Sequence, residues 1–424
     1  MNTGKELIIH FFPNLYDRYV LDRRFGIRFL RKSHRQSIKK IRSKGQARAV
    51  FIMASLSMWR LEPVCKELLK DNRFHVHIII CPFLSFVKEQ QKECTQELID
   101  YCMKKGWDYE TWFPGEEASK SFEADIIFYP QLYSHLFGNA LDCEKNLHRL
   151  IAYVPYGLPT VSGDWMYNSR YMNTVWKLLF PTHLHLKYAK NHSFNHAKNM
   201  EIVGDSHAKE FLLVQHNDYW KEQPVPKKRI IWAPHFSIGD NGYLHRASFL
   251  WLSATMPKLA AEYSDRVQFV FKPHPRLMSE LYRHPDWGKD KTDAYFKFWE
   301  IEDNTQLETG AYVDLFCTSD GMIHDCGSFT AEYLYTGKPV LFVSHDFNAV
   351  YKGLDLFGTQ CLDLHYHANN ESLIRQFLDE IILGGKDPMF SSRKVFQEQY
   401  LTSEGNLEFE KKIHKSLVKA LFGS

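Results

Sequence analysis

Three short polar segments of the sequence carry residue types that bind phosphate groups. They read Pro-His-Phe-Ser at 234–237, Lys-Pro-His-Pro-Arg at 272–276 and Asp-Cys-Gly-Ser at 325–328. Lysine, arginine and imidazole side chains attract anions, and a Gly-Ser turn that leads into a helix presents unpaired backbone N–H groups. An ordinary capped helix would explain the Gly-Ser turn alone, but three such segments together predict a diphosphate site.

Predicted strands and a helix position these segments. The apolar strands Ile230–Ala233 and Val267–Lys272 end in the first two segments, and the third precedes a helix over Phe329–Thr336. Ser328 stands where an N-cap belongs, Gly337 ends the helix, and a buried strand follows at Val340–Val343. Since parallel strands present their carboxyl ends at one edge of a sheet, we expect the three segments to lie together.

The residue types within this edge suggest individual roles. Glu332, one helical turn after Ser328, is placed to accept hydrogen bonds from ribose hydroxyls. His274 is placed to stabilise developing negative charge at this site, which requires neither a metal ion nor another cofactor. The predicted donor-binding residues are Lys272, Arg276, Asp325, Gly327, Ser328 and Glu332.

The spacing of strands and helices predicts an α/β protein with two Rossmann-like, doubly wound domains that face a cleft. Strand–helix alternation begins at Ala47 and restarts at Ile230, after the Pro-rich segment Gln215–Arg229, the expected hinge. We therefore expect a basic arm at 1–46, a first domain at 47–220 and a second domain, which contains the predicted diphosphate site, at 221–424; the resemblance described below implies that the first binds the acceptor and the second the nucleotide donor. The last helix, Leu407–Leu421, is expected to pack back on the first domain.

Composition indicates the cellular setting. The 424 residues contain eight cysteines without a CxxC pair, which favours free thiols in a reducing cytosol. The start lacks the features of a signal peptide, so we expect a cytoplasmic protein. Basic residues dominate 18–48, where apolar residues recur at roughly helical spacing, as in a helix that binds an anionic membrane; a helix packed on its own domain has the same pattern. Because few aromatics are interleaved in this region and no recognised module follows it, a nucleic-acid partner is not expected.

The order of these segments resembles the CDP-glycerol glycerophosphotransferases, the group of teichoic acid polymerases and primases. Lys272, His274 and Pro275 match the family's Lys/Arg-x-His-Pro element. Asp325, Ser328 and Glu332 match a second element, with Gly327 where the family has serine. The resemblance implies a GT-B fold and transfer of glycerol phosphate from CDP-glycerol to a lipid-linked acceptor in cell-envelope synthesis, at the inner face of the membrane.

One departure from the family affects the acceptor side. The family has Trp-His-Gly in a loop of the first domain, where its histidine is thought to be the base, and this chain has Pro155-Tyr156-Gly157. Tyr156 and Gly157 are expected to bind the acceptor, and Tyr156 could also take part in catalysis. Because tyrosine is a weak base near neutrality, His235 is the favoured base, with Asp164 as a second candidate.

Three functions are therefore weighed. The first is transfer of glycerol phosphate or a related polyol phosphate from a CDP-linked donor. The second is a GT-B glycosyltransferase or an enzyme similar to UDP-N-acetylglucosamine 2-epimerases, whose Ser-Gly-Gly turn and Gly-Lys-Pro-Val strand have the style seen here. The third is a nucleotide-binding scaffold without catalysis, which Tyr156 in place of the family's histidine would favour.

Overall fold

Buried β-branched and aromatic residues build two parallel sheets in the computed structural model of the chain. The structure describes residues 21–86, 88–113, 123–131, 134–138, 140–238, 248–310, 312–403 and 407–423. The chain divides into two units. The first comprises Met1–Gly157, Gly163–Ser206 and Glu404–Ser424, and the second comprises Leu158–Ser162 and His207–Ser403.

The first unit has a seven-stranded sheet in the order β3-β2-β1-β4-β5-β6-β7. Its strands are β1 (Ala47–Met53), β2 (Phe74–Ile80), β3 (Tyr109–Thr111), β4 (Ile126–Tyr129), β5 (Leu150–Tyr153), β6 (Lys177–Phe180) and β7 (Met200–Ile202). Its α-helices are α1 (Asp22–Phe25), α2 (Ile27–Lys44), α3 (Glu62–Leu69), α4 (Lys88–Lys105), α5 (Cys143–Asn146), α6 (Asp164–Tyr167), α7 (Arg170–Thr174), α8 (His183–His192) and, from the end of the chain, Phe409–Phe422. Leu56–Met58 and Ser134–Phe137 are 3-10 turns.

The second unit has a six-stranded sheet in the order β10-β9-β8-β11-β12-β13. Its strands are β8 (Lys228–Ala233), β9 (Val267–Phe271), β10 (Thr305–Leu307), β11 (Gly321–His324), β12 (Val340–Val343) and β13 (Tyr366–Ala368). Its α-helices are α9 (Ala208–Phe211), α10 (Phe249–Glu262), α11 (Leu277–Arg283), α12 (Gly288–Ile301), α13 (Val313–Thr318), α14 (Phe329–Glu332), α15 (Phe347–Lys352), α16 (Leu356–Leu362), α17 (Glu371–Gln376) and α18 (Phe390–Phe396), which makes the helix Phe409–Phe422 α19. Tyr333–Thr336 is a 3-10 turn that extends α14, and Phe377–Leu383 and Gln397–Leu401 are π-helical.

Both sheets share one strand order. In each unit the first three strands run outward in the order 3-2-1, and the next strands lie on the other side of the first. All registered strand pairs within the two sheets are parallel. This is the Rossmann arrangement, and its switch point lies between β1 and β4 in the first unit and between β8 and β11 in the second. The predicted pair of Rossmann-like α/β domains is confirmed.

The boundary between the units differs from the predicted hinge. The division falls between Ser206 and His207, so the Pro-rich segment belongs to the second unit. Two aromatic side chains explain the shift. Phe211 stacks on Tyr335 with centroids 4.7 Å apart, and Trp220 Nε1 donates to Thr318 Oγ1 at 3.0 Å. The segment that composition marks as a linker is therefore anchored by its few large apolar residues.

The basic N-terminal region is not a separate arm where the structure describes it; residues 1–20, which include the start of the basic stretch 18–48, lie outside the described residues. Ile41 of α2 joins the core of the first unit, and Arg42 Nε donates to the carbonyl of Leu421 in α19 at 3.0 Å. The apolar stripe of α2 is thus buried against its own unit, while its basic side remains exposed. None of the described helices has the length and apolarity needed to cross a membrane.

Helix α19 completes the same core. Ile413, Leu417 and Leu421 recur at helical spacing along it, and all three are buried among the core residues of the first unit. Burial of one such face stabilises a helix of this length more than its intrinsic propensity does. The end of the chain is therefore part of the unit that the beginning of the chain builds.

Candidate functional site

The switch point of the second unit brings the three predicted segments together. Register pairs Ala233 at the end of β8 with His324 at the end of β11, and Phe271 at the end of β9 with Trp232 of β8. The residues that follow these three strands therefore emerge side by side at the carboxyl edge of the sheet. In open α/β sheets this is the place where ligands bind. Strand β11 itself was not predicted.

Asp325 fixes the loops of this edge. The carboxylate is fully buried; Oδ1 accepts from the backbone N–H of His235 at 2.5 Å, and Oδ2 accepts from Ser248 N at 3.0 Å and Ser248 Oγ at 2.5 Å. A buried carboxylate is stable only when donors surround it, and these donors come from segments far from it in the chain. Asp325 was predicted to bind the donor, but its bonds make it the residue that positions His235 and the start of α10.

The hydrogen bonds of His235 define its tautomer. Ser237 donates its backbone N–H to His235 Nδ1 at 3.2 Å, and the Ser237 hydroxyl lies 2.8 Å from the same nitrogen. A backbone N–H can only donate, so Nδ1 accepts, and the neutral ring carries its proton on Nε2. His235 was predicted to be a general base. In this tautomer Nε2 carries the proton, and the lone pair of Nδ1 is already engaged.

His274 has the same arrangement on the neighbouring strand end. Arg276 donates its backbone N–H to His274 Nδ1 at 3.1 Å, which again leaves the proton on Nε2. Burial, helped by the charge of Arg276, lowers the pKa of His274 to about 3. The two imidazole rings lie 5.2 Å apart between centroids. The edge therefore presents His274 as a neutral imidazole donor rather than as a cation.

Lys272 is the buried cation of the site. Its Nζ donates to the carbonyl of Gly310 at 2.8 Å and lies 5.9 Å from the ring centroid of Tyr312. Burial lowers the pKa of Lys272 to about 8, and the negative charge of Glu308 opposes that shift. An anion that reached the lysine would favour its protonated form. Lys272 is therefore mostly protonated at neutral pH and loses its charge as the pH rises through about 8.

The turn at Gly327 and Ser328 supplies donors without charge. In the described part of the chain, the backbone N–H groups of both residues and the Ser328 hydroxyl make no hydrogen bond. Helix α14 begins after Ser328 as predicted, but the hydroxyl does not cap it, because Ser328 already has helical φ and ψ of −66° and −35°. The hydroxyl therefore remains available to a ligand. The Gly327 carbonyl accepts from Thr160 Oγ1 at 3.1 Å, which fixes the turn from the other side.

Glu332 is buried one turn further along and accepts a short hydrogen bond from the hydroxyl of Tyr312. Its predicted ribose contact would therefore use a carboxylate that a tyrosine already orients. The Arg276 side chain has other partners. Its guanidinium lies 4.1 Å from the ring centroid of Phe236 and donates to Glu280 Oε1 at 2.9 Å.

Sequence reasoning missed Tyr312, Ser248 and Thr160. Each is a hydroxyl-bearing residue in a segment without a motif, and each contacts a predicted residue from a distant part of the chain. These three residues are recognisable only through the residue that each contacts in the folded chain, so no local sequence pattern could have identified them.

Tyr156, Gly157 and the second candidate base Asp164, which begins α6, belong to the first unit, and the other eight predicted residues belong to the second. Tyr156 follows β5, donates its backbone N–H to the carbonyl of Pro130 at 3.0 Å, and is 42% exposed. Gln131, the next residue after Pro130, is buried, and its side-chain nitrogen has no partner among the described residues. It is a further polar group at the carboxyl end of β4 that the sequence did not mark.

Comparison with known proteins adds a family and a fold. Residues 214–356 match the family model described as CDP-Glycerol:Poly(glycerophosphate) glycerophosphotransferase, so the predicted resemblance is confirmed for that segment. No curated protein matches the sequence significantly.

Similar solved structures extend over most of the chain. The Staphylococcus aureus MnaA–UDP co-structure has a TM-score of 0.53 at 12% identity and covers 89% of this chain and 97% of its own. A structure from Listeria monocytogenes, described as a putative UDP-N-acetylglucosamine 2-epimerase, has a TM-score of 0.52 at 11% identity and covers 89% and 97%. Another UDP-N-acetylglucosamine 2-epimerase has a TM-score of 0.52 at 12% identity and covers 88% and 96%. These likenesses show the fold, and the predicted GT-B class is confirmed.

Proposed function

Because its residues 214–356 match the glycerophosphotransferase family, we propose that this transferase moves glycerol phosphate, or a related polyol phosphate, from a CDP-linked donor to a lipid-linked acceptor of cell-envelope synthesis. One observation carries the proposal. Three strand ends at the switch point of the second unit present uncharged donors and one buried lysine at a single edge. That combination suits a diphosphate, which carries charge over several oxygens.

The proposed step transfers one phosphoryl group. An acceptor hydroxyl oxygen forms a bond to the phosphorus that bears glycerol, and the bond from that phosphorus to the bridging oxygen breaks. CMP leaves with the bridging electron pair, and the hydroxyl proton passes to a base. The Nε2 donors of His235 and His274 would stabilise charge on the phosphate oxygens, and Lys272 would offset the charge that CMP gains.

The remaining residues bind and orient. The free N–H groups of Gly327 and Ser328 and the Ser328 hydroxyl would hold the diphosphate, and Glu332 would accept from the ribose. On the acceptor side, Tyr156 would orient the attacking hydroxyl, which its exposure supports. Because the lone pair of His235 is engaged by Ser237, we assign the base to the acceptor side and not to His235.

A donor panel tests the proposal. Calorimetry with CDP-glycerol, CDP-ribitol, UDP-N-acetylglucosamine and CMP should give tight binding for a CDP-linked polyol only, with release of CMP when a lipid-linked acceptor is added. Tight binding of UDP-N-acetylglucosamine with epimerised product would favour the epimerase-like alternative. Binding of nucleotide without turnover on any acceptor would favour the scaffold.

Ser328→Ala locates the donor in this panel. Its hydroxyl makes no bond within the described residues, so the change should leave the unfolding free energy within about 0.5 kcal/mol of the wild type. Loss of a hydrogen bond to a charged phosphate should weaken CDP-glycerol binding by about 1–3 kcal/mol. Ser237→Ala is unsuitable as a control because Ser237 contacts His235. The control is Ser279→Ala, because the Ser279 hydroxyl donates to the carbonyl of Arg276 at 2.9 Å and Ser279 is not among the predicted donor-binding residues. Equal affinity in Ser328→Ala and Ser279→Ala would refute the placement.

The exposed basic side of α2 supports a peripheral contact with an anionic membrane, where a lipid-linked acceptor would reside. Since Ile27, Leu30 and Ile41 of α2 are buried, this contact would rest mainly on charge. Sedimentation with phosphatidylglycerol vesicles should therefore decrease steeply as salt is raised, because ions screen each basic residue. Binding that salt does not weaken would contradict this part of the proposal.

A further inference from the structure

Gln131 is a buried glutamine at the carboxyl end of β4, beside the switch point of the first sheet. Strand β4 lies between β1 and β5, and Gln131 follows its last residue, Tyr129, by two positions. Only 3% of the surface of Gln131 is exposed. The carboxyl edge at a switch point is where doubly wound sheets bind their ligands. Gln131 therefore lies at the edge where the first unit would contact a substrate.

Backbone hydrogen bonds hold the chain before Gln131 against the Tyr156 loop. The carbonyl of Tyr129 accepts from the backbone N–H of Val154 at 3.1 Å, and the carbonyl of Pro130 accepts from that of Tyr156 at 3.0 Å. These bonds continue the parallel pairing of β4 and β5 beyond the ends of the two strands. Gln131 and the partly exposed Tyr156 are therefore neighbours at this edge.

The side-chain nitrogen of Gln131 differs from those of the other buried amides. Nε2 is buried and has no partner among the described residues. Every other buried asparagine or glutamine side chain in the described part of the chain donates to a backbone carbonyl. These residues are Asn146, Asn173, Asn195, Gln268 and Asn304. Buried polar groups without a partner are rare, because the free energy lost on desolvation is not recovered, so the Gln131 amide calls for a partner outside the fold.

Gln268 shows what a structural glutamine does at the same degree of burial. It lies in β9, is 1% exposed, and donates from Nε2 to the carbonyl of Lys221 at 2.8 Å. That bond joins the second sheet to the Pro-rich segment Gln215–Arg229. An apolar side chain at position 268 would lose this bond, whereas an apolar side chain at position 131 would remove an Nε2 that bonds to none of the described residues.

The chemistry of a carboxamide indicates which group it would bind. The amide is uncharged, with two donor hydrogens on Nε2 and an acceptor at Oε1. A hydroxyl group also donates and accepts, so the two groups match in either direction. A phosphate oxygen only accepts, and charged donors bind it more strongly. Gln131 therefore suits a neutral hydroxyl better than a phosphate.

We propose that Gln131 binds a hydroxyl group of a polyol acceptor, beside the hydroxyl that Tyr156 would orient for attack. This inference rests on the proposed function, because it takes the acceptor to bind at the carboxyl edge of the first sheet. It adds that the acceptor carries a second hydroxyl and that Gln131 selects for it. An acceptor that lacks this hydroxyl would leave the buried amide without a partner and would bind more weakly.

The test compares Gln131→Met with the matched control Gln268→Met, both in the full chain. Methionine is unbranched and similar in length to glutamine, but it has no amide. The probes are glycerol 3-phosphate and 3-hydroxypropyl phosphate, which lacks the secondary hydroxyl, each titrated by calorimetry. The same two groups, carried on a lipid, serve as acceptors in an assay of CMP release from CDP-glycerol. Urea unfolding measures stability.

The wild type and Gln268→Met should prefer glycerol 3-phosphate by about tenfold, the value of one hydrogen bond to a neutral group. Gln131→Met should bind the two probes with affinities within about twofold of each other, because the amide that distinguishes them is gone. The urea midpoint of Gln131→Met should equal or exceed that of the wild type, since a buried polar group without a partner is replaced by an apolar one. The midpoint of Gln268→Met should be lower, because a buried hydrogen bond is lost.

Three results would overturn the inference. The wild type could bind neither probe or show no preference between them, or Gln131→Met could keep the preference. The urea midpoint of Gln131→Met could also be lowered as far as that of Gln268→Met, which would make the amide structural. Failure of the proposed function is recognised separately. A wild type that prefers glycerol 3-phosphate in calorimetry, yet releases no CMP from CDP-glycerol, would retain the hydroxyl site at Gln131 and lose the proposed reaction.

Discussion

The two units are alike at one edge of their sheets and different at the other. In the first unit Asp125 precedes β4 and accepts from the backbone N–H of Arg48 in β1 at 2.9 Å. In the second unit Asp320 precedes β11 and accepts from the backbone N–H of Arg229 in β8, also at 2.9 Å. These aspartates join the first and fourth strands at the amino edge of each sheet, at the same register. They belong to the fold and not to a site.

The carboxyl edge distinguishes the units. There Asp325 joins the exit of β11 to the exit of β8, and the described residues of the first unit have no carboxylate in the corresponding position between β4 and β1. Burial of the Asp325 carboxylate costs desolvation free energy even though it accepts three hydrogen bonds. The fold does not require this cost, because Asp320 already joins β8 and β11 at the amino edge. The second aspartate is therefore explained by the loops it positions, which contain His235 and the start of α10.

One residue from each unit gives the largest expected contrast. His235→Ala should lower turnover of CDP-glycerol by ~10²–10³, because a hydrogen bond to the phosphate oxygens in the transition state is lost, while the affinity for CDP-glycerol changes little. His235→Gln should recover part of that loss, because its amide can donate from a similar position. Tyr156→Phe should act mainly on the KM for the acceptor. If Tyr156→Phe abolished turnover and His235→Ala did not, Tyr156 would take over the catalytic role.

The aspartates test the comparison directly. Asp325→Asn places an amide NH2 group against buried N–H donors and should cost about 2–4 kcal/mol of unfolding free energy in urea, together with most of the CDP-glycerol affinity. Asp320→Asn and Asp125→Asn, both partly exposed, should cost about 0.5–1.5 kcal/mol and leave nucleotide binding unchanged. A loss of affinity in Asp320→Asn as large as in Asp325→Asn would remove the distinction between the two edges.

Each unit also contains a segment from a distant part of the chain. In the second unit this segment is Leu158–Ser162, and a substitution at Gly358 tests how it is held. A Cβ at Gly358 would lie 2.1 Å from the carbonyl oxygen of Thr160, so Gly358→Ala should displace the segment Leu158–Ser162 and destabilise the second unit by about 1–3 kcal/mol. Gly353→Ala is the matched control, since its nearest contact would be an ordinary 3.4 Å. Thermal unfolding that is equal in the two variants would show that this segment is not held as described.

The smallest expected effect concerns the buried lysines. In the first unit Lys177 pairs with Glu201, whereas Lys272 in the second unit contacts a carbonyl and its pKa is lowered to about 8. An anionic donor binds the protonated lysine, so CDP-glycerol affinity should be constant below about pH 8 and decrease up to about tenfold per pH unit above it. Lys272→Arg should remove this dependence, because arginine remains protonated. A flat profile in the wild type, measured by calorimetry on both sides of that pKa, would exclude Lys272 from the donor contact.

The sequence predicted which residue types gather at this edge of the sheet better than it predicted the contacts that hold them there. The positions of His235, Lys272 and His274 at one edge could be predicted because the apolar strands before them are easily recognised, whereas Ser328 was identified only by its Gly-Ser turn and the helix after it. Strand β11, Gly321–His324, escaped prediction, since four residues with a glycine and a histidine resemble a turn as much as a strand. Because β11 was not predicted, the sequence did not show that Asp325 positions the loop of His235. That contact requires β11 to lie next to β8.

Two further differences have the same origin. The hinge was expected where prolines and charges accumulate, but Trp220 and Phe211 anchor that segment through partners about 100 residues away. The amphipathic pattern of α2 predicted a helix correctly but could not identify what covers its apolar stripe. In both cases composition describes the segment, and only tertiary contacts decide where it belongs.

The short segment Leu158–Ser162 limits how the second unit can be exchanged between related genes. It lies outside the family-matching residues 214–356, yet Thr160 binds Gly327 of the donor turn and fills the space beside Gly358. A gene fragment that encodes only the matching residues would lack this piece. The second unit is therefore not encoded by one uninterrupted stretch of the gene: recombination that exchanged it between relatives would have to carry five residues from the middle of the other unit's coding sequence.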